Sequence, residues 1–324
     1  MVRFGILGAG NIAHRFSSSL AHATNTELVA AACRTKEKAE AFLAEVPHAT
    51  GARAYGSYDE LLADPSVDAI YLSLPHAYHK QWALKALLAN KAVLCEKPAM
   101  LTSQEMLEVA QTSRKTGTLF MEAMKPRFVS LYGQLLKDVD RIGPLTRIEA
   151  TLCNDMLGMV EGTGSYHMTP GPGAGVLLDC GTYCASWIAA FCPGPYEPTS
   201  VSGTLKDGID VYADAYLTNG IVTARLECAF DRAKPRTATL VGERGRIVVD
   251  ELHRPQRATV LVDGEEPRVL DVPYEVDDFY GEICHFVDLI ERGKSESPIM
   301  SLDDSVACAA LLDIVREEVY KNAE

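Results

Sequence analysis

The chain lacks any apolar run near the roughly 20 residues that would cross a bilayer, and Phe4 to Leu7 lead directly into glycines rather than into a secretory leader. No membrane partner is expected from such a sequence. Its nine cysteines are odd in number and contain no Cys-x-x-Cys pair, which argues against a zinc site or a disulfide framework and points to a reducing cytoplasm. Positive charge is also short: 31 basic against 44 acidic side chains leave a net charge of -13. A field of that sign repels polyphosphate backbones and anionic lipid, so nucleic acid is not an expected partner either. Internal repeats and low-complexity tracts are missing, as is any obvious linker.

What is present is a chain of 324 residues with 47% hydrophobic content, enough for two buried cores. From Val2 to about Met121, short β-branched or apolar runs alternate with amphipathic stretches. The runs Val2–Leu7, Leu28–Cys33, Ala69–Leu74, Ala92–Cys95 and Leu119–Met121 read as strands. The stretches 11–22, 36–46, 76–90 and 103–116 read as helices. This is the pattern of an α/β, Rossmann-type doubly wound parallel sheet. After Arg127 the rhythm changes. A helix near 128–139, a strand near 147–153, a Gly-rich loop at 162–175 and a helix near 180–191 precede seven strand-like runs between 200 and 272, and two helices at 277–291 and 303–322 close the chain. Successive strands joined by turns such as Thr218-Asn219-Gly220 predict an α+β domain with a large, mostly antiparallel open sheet. The expected division is a dinucleotide-binding domain at 1–122 and a substrate-binding and oligomerisation domain at 123–324. Apolar residues at Val201, Val211 and Ala213 are expected to line the open face of that sheet, so a homodimer or homotetramer through it is predicted.

Directly after the first strand stands Gly8-Ala9-Gly10-Asn11-Ile12-Ala13. Gly8 permits a tight turn, Gly10 lets the main chain approach a pyrophosphate, and Ala13 allows a helix to pack closely on the strand. The N–H groups of the helix start, Asn11 and Ile12 among them, then serve the anion. An NAD site usually carries an acid at the end of the second strand to accept from the ribose 2′-hydroxyl. Here the acid is missing: the strand runs into Cys33-Arg34-Thr35, with Lys36 and Lys38 following. Arg34 can pair with a 2′-phosphate and Thr35 can donate to it, so NADP is predicted over NAD. The plainer alternative is a solvated helix start, since Glu37 and Glu40 lie among the cations.

At the end of the strand near 92–95 the sequence reads Glu96-Lys97-Pro98, where ligands of doubly wound sheets bind. With the opening glycines, the Ser73-Leu74-Pro75-His76…His79 strand end, Glu122…Arg127 and Gly173-Ala174-Gly175-Val176-Leu177-Leu178-Asp179-Cys180-Gly181-Thr182-Tyr183, the whole chain resembles the Gfo/Idh/MocA (glucose-fructose oxidoreductase and inositol dehydrogenase) family. The resemblance implies that Lys97 orients substrate and shares in proton transfer, that the Lys97–Pro98 bond is cis, and that Asp179 and Tyr183 form the pair facing the active site. It also implies that Leu74, His79 and Glu96 lie at the nicotinamide end of the cofactor and that Arg127 stands on the substrate side. Tyrosine rather than histidine at 183 is similar to the dihydrodiol and aldose dehydrogenase branch and disfavours inositol.

Independently of resemblance, an i, i+4 relation puts Asp179 and Tyr183 on one helix face. A phenol needs a nearby cation to act as base at neutral pH, and Lys97 is the expected one. These residues also have plainer uses: Asp179 as a helix N-cap, Tyr183 as a buried aromatic, His79 as a structural histidine, Arg127 as a brace for Glu122. Tyr166 and His167 sit in the loop that would cover a cofactor, with no role assigned. Trp187 and Phe191 are expected in the core. Histidines 14, 22, 48, 253 and 285 have no metal-ligand spacing, and no metal is expected. The predicted activity is hydride transfer between NADP(H) and a hydroxyl or carbonyl carbon of a sugar, polyol or dihydrodiol. The rival is an NADP-sensing regulator of the same fold without turnover.

Overall fold

The computed structural model describes residues 1–160, 165–192 and 194–322. Two compact units emerge, one from Met1–Met100, Gln104–Lys125 and Glu275–Asp303, the other from Leu101–Ser103, Pro126–Tyr274 and Asp304 onward. Nothing in the sequence separates 275–303 from the second half, yet this segment joins the first.

The first unit alternates strand and helix: β1 (Val2–Leu7), α1 (Asn11–Leu20), β2 (Thr26–Ala32), α2 (Lys36–Glu45), β3 (Arg53–Tyr55), α3 (Tyr58–Ala63), β4 (Ala69–Leu72), α4 (His79–Leu88), β5 (Ala92–Glu96), α5 (Ser103–Thr116) and β6 (Phe120–Ala123). All six strands pair in parallel, in the order β3-β2-β1-β4-β5-β6. Strands covered on both faces need apolar residues at every position rather than at alternate ones. Accordingly β4 and β5 are buried throughout. The strand order reverses between β1 and β4, and crevices of this kind at the carboxyl ends of strands are where such sheets take ligands.

The second unit contains α6 (Ser130–Asp138), β7 (Leu145–Cys153), α7 (Leu157–Val160), a π-turn at Leu177–Gly181 and α8 (Thr182–Phe191). The strands β8 (Glu197–Lys206), β9 (Ile209–Thr218), β10 (Thr223–Ala229), β11 (Thr237–Gly242), β12 (Gly245–Asp250), β13 (Arg257–Val262) and β14 (Arg268–Asp271) follow. With β7 they make one eight-stranded sheet in the order β14-β13-β12-β11-β7-β10-β9-β8. Every pairing is antiparallel except β7 with β10. One expectation is corrected here. Val211 and Ala213 are 2% and 0% exposed within the chain itself; they face its own core, while Tyr212, Asp214 and Tyr216 of β9 point the other way. Period-two alternation identified a half-buried strand but not which face was which.

The chain ends with α9 (Tyr280–Glu291) and α10 (Leu302–Lys321). Helix α9 packs on the first unit, with Phe286 6.1 Å from Phe4 between ring centroids. Just ahead of it, Asp278 receives Lys125 Nζ at 2.6 Å and Arg15 at 2.5 Å. Both cations lie over the Phe279 ring, and Ser19 donates to Asp277 at 2.9 Å. Removing Asp278 would take from the buried Lys125 ammonium its carboxylate partner, the arrangement in which an ion pair matters most.

Candidate active site

In the first unit the loop after β1 has the shape a dinucleotide phosphate needs. Gly8 has φ +98°, and a Cβ there would meet Ser73 O at 2.8 Å, so only glycine fits the turn. A Cβ at Gly10 would meet nothing within 4 Å, which leaves the main chain at the mouth of α1 open to an anion. Gly10 is the N-cap of α1 and offers no side-chain oxygen, so the first N–H groups, those of Asn11 and Ile12, remain available to a ligand. Ala13 is fully buried where helix meets sheet. At the end of β2, Arg34, Thr35 and Lys38 are exposed. The Thr35 hydroxyl oxygen caps α2 by accepting from Lys38 N at 3.4 Å, and its O–H donates to Glu37, which helps hold that carboxyl below its usual pKa.

The end of β5 is held by a buried polar frame. Glu96 accepts from the Tyr71 hydroxyl at 2.5 Å and from Lys97 N at 3.1 Å. Ala99 N donates to Glu122 at 2.9 Å. The fully buried His79 faces the Leu74 carbonyl through Nε2 at 2.7 Å and the Pro98 and Ala99 carbonyls through Nδ1 at 3.1 and 3.2 Å. Burial pushes its pKa below the usual histidine value against the pull of those carbonyls. The His79 ring therefore ties the ends of β4 and β5 together and fixes the turn carrying Lys97. Lys97 itself is half-buried, and its bond to Pro98 is cis. Leu74 lies buried at the same strand end.

In the second unit Asp179 does not cap a helix. It lies inside the π-turn Leu177–Gly181, which runs without a break into α8. The wider turn keeps residues four apart aligned, so Asp179 and Tyr183 occupy neighbouring turns of one continuous helix, and π-turns of this kind recur at functional sites. Tyr183 is 8% exposed, its ring 6.0 Å from that of His253. Asp179 lies half-buried beside the Cys180 thiol, which also receives Asn154 Nδ2 at 3.7 Å. Arg127 is braced by α8: Nε donates to Ser186 Oγ and Nη2 to Ser186 O, each at 2.9 Å, and Nη1 lies 3.3 Å from Asp304. Ser186, three residues beyond Tyr183, and Asp304 of α10 thus hold the guanidinium. Lys97 belongs to the first unit, and Asp179, Tyr183 and Arg127 to the second.

Residues 2–124 match the family described as "Oxidoreductase family, NAD-binding Rossmann fold", and residues 135–248 match the "GFO/IDH/MocA C-terminal domain". A trans-1,2-dihydrobenzene-1,2-diol dehydrogenase of Mus musculus is 30% identical, with 98% of this chain and 97% of the relative covered. The chain belongs to the Gfo/Idh/MocA oxidoreductase family. Within it, the scyllo-inositol 2-dehydrogenase (NADP(+)) IolU of Bacillus subtilis (strain 168) is 29% identical, covering 98% of this chain and 97% of its own. The solved structure of KijD10, a 3-ketoreductase from Actinomadura kijaniata in complex with NADP and TDP-benzene, superposes with a TM-score of 0.86 at 25% identity, with 98% of each chain covered.

Several parts of this Gfo/Idh/MocA site escaped the sequence reading. Tyr71 sits in an apolar run and looked like core. Ser186 and Asp304 carry no motif. Glu282, on α9, is fully buried with no hydrogen-bond partner on either oxygen. Burial, reinforced by Glu96, drives its pKa well above the usual carboxylate value. A helix pattern with one acid on the apolar side was the only available signal. Trp187 is in the core, with Nε1 donating to Leu252 O, while the half-buried Phe191 stacks on it at 5.8 Å. Tyr166 and His167 form a short 3-10 turn, while 162–164 of the expected lid loop lie outside the described residues. Among the described residues no group of His, Cys, Asp or Glu is arranged to hold a metal, and no helix is long and apolar enough to cross a membrane.

Proposed function

We propose that this protein is an NADP(H)-preferring dehydrogenase or reductase acting on the CH–OH or carbonyl carbon of a sugar, polyol or dihydrodiol. The observation that carries the reading is the pairing of Asp179 with Tyr183 along one helix, in a family whose first domain binds a nicotinamide dinucleotide. A sensor without turnover has no need of such a proton-transfer pair. The name of the Bacillus relative and the NADP-bound 3-ketoreductase support the choice of NADP. The mouse relative supports a dihydrodiol or similar diol as substrate.

Gly8, Gly10 and the start of α1 would hold the pyrophosphate, and Arg34, Thr35 and Lys38 the 2′-phosphate. When bound, the nicotinamide supplies the hydride acceptor or donor. Lys97 and Asp179 hold the reacting oxygen, and Tyr183 takes the hydroxyl proton during oxidation and returns it during reduction. Arg127 stands on the substrate side, fixed by Ser186 and Asp304. Leu74, His79 and Glu96 shape the nicotinamide end, His79 and Glu96 by holding the Lys97 turn.

Tyr183→Phe should lower turnover about 100-fold or more, the scale of a lost general acid or base, while NADPH binding measured by fluorescence titration stays near wild type. Equal loss of both would undo the role given to Tyr183. Arg34→Asp should reverse the NADPH/NADH affinity ratio, and an unchanged ratio would refute the 2′-phosphate contact. We also propose self-association through the outward face of the large sheet, where Tyr216 is 45% exposed beside the Arg225–Asp214 pair. Light scattering on the eluting protein should give two or four chains, and a monomer at micromolar concentration would rule this out.

A further inference from the structure

Asp210 is buried to 2% exposure in a part of the fold where three unusual features meet. The first is a β-bulge: Thr204 pairs with Tyr212 but Leu205 with Asp210, so β9 carries one extra residue and Ile209, Asp210 and Val211 are all turned inward. Bulges re-aim side chains in this way beside active sites. The second is Gly175, at φ +102°, where a Cβ would lie only 2.0 Å from Asp210 Oδ1. Any other residue would expel the carboxylate. The third is the π-turn, whose first N–H, that of Leu177, donates to Asp210 Oδ2 at 2.7 Å. Tyr320 of α10 donates to the other oxygen at 3.1 Å.

The amide at the start of such a turn has no partner within the helix, and a charged acceptor makes the bond roughly twice as strong as a neutral one. We propose that Asp210 is a positioning residue, whose carboxylate holds the π-turn in the register that sets Asp179 beside Tyr183. This rests on the reading of that pair as the reacting groups. The carboxylate sits in a setting poor in charge. Tyr320 and Arg316 of α10 and Cys228 of β10 are the titratable groups that act on it. On β9 itself Tyr212 and Asp214 engage Glu227 and Arg225. Burial pushes the Asp210 pKa up from 3.8 to about 6, although the Leu177 and Tyr320 bonds and Arg316 hold it down. Protonation near pH 6 would therefore weaken the hold on Leu177 within an accessible range.

The test compares the full-length wild type with Asp210→Asn, which keeps an oxygen for Leu177 but not the charge. Hydrogen exchange of the 177–181 amides, corrected for intrinsic rate, should lose about tenfold protection in wild type between pH 7.5 and 5. Asp210→Asn should show the low value at both. With D-xylose and NADP+ as probe, wild-type kcat should fall along an acid limb centred near pH 6, and the variant should lack that limb with KM little changed. Equal protection in both proteins at both pH values overturns the proposal whatever the turnover. Turnover that ignores Tyr183→Phe instead refutes the reaction reading, and the exchange result still judges Asp210.

Discussion

Asp210 shows how a single side chain can favour function at some cost to the fold. Its carboxyl takes up a proton more readily in the folded chain than in the unfolded one, with a pKa of about 6 against 3.8. The stability it contributes is complete below about pH 4 and is lost as pH rises through 6. The difference amounts to about 3 kcal/mol. At pH 8, then, Asp210→Asn should melt at or above the wild-type temperature even as its turnover falls, whereas at pH 4 the gain should vanish. A lower melting temperature at pH 8 would instead mark Asp210 as an ordinary structural acid. The sequence offered no hint of this residue, because burial and a bulge, rather than a motif, give it its role. The turn at Gly8 and the open helix mouth at Gly10 were legible because a phosphate-binding turn demands small residues at fixed spacing, and the roles proposed for Arg34, Lys97, Asp179 and Tyr183 rest on motif and resemblance.

Elements were legible in proportion to their length and periodicity. Val2–Leu7 and Ser103–Thr116 appear with the limits their sequence suggested, because an unbroken apolar strand and a 14-residue amphipathic helix each repeat one signal many times. Strand β3 and helix α3, three and six residues long, repeat theirs too little to be seen. The π-turn was invisible because one extra residue in a helical turn alters no pattern. Helix α9 was found, but its partner was not, since an apolar face does not say what it will cover. That face buries Ile283, Phe286 and Leu289 in the first unit. At about 1.5–3 kcal/mol for each large side chain, their loss would remove roughly 5–9 kcal/mol, comparable with the whole stability of a domain. The fragment 1–125 should therefore fail to unfold cooperatively in urea and should bind a hydrophobic dye. A peptide of residues 275–303 added to it should restore both properties, and a fragment that folds unaided would show the helix to be dispensable.

For the molecule as a whole, the change of rhythm near Arg127 announced two kinds of architecture, and the parallel order β3-β2-β1-β4-β5-β6 beside an eight-stranded mixed sheet matches that change. The route of the chain did not follow from rhythm, since the first unit is completed by a segment from beyond the second sheet. On the ribosome, Asp303 is added roughly 180 residues after Lys125, and at about 5–20 residues per second that is a wait of roughly 10–35 s. Throughout that wait the nascent nucleotide fold carries an apolar face with nothing laid over it. The cell must shield that face during translation, and a codon change that slows the intervening stretch would lengthen the exposure without altering a single amino acid.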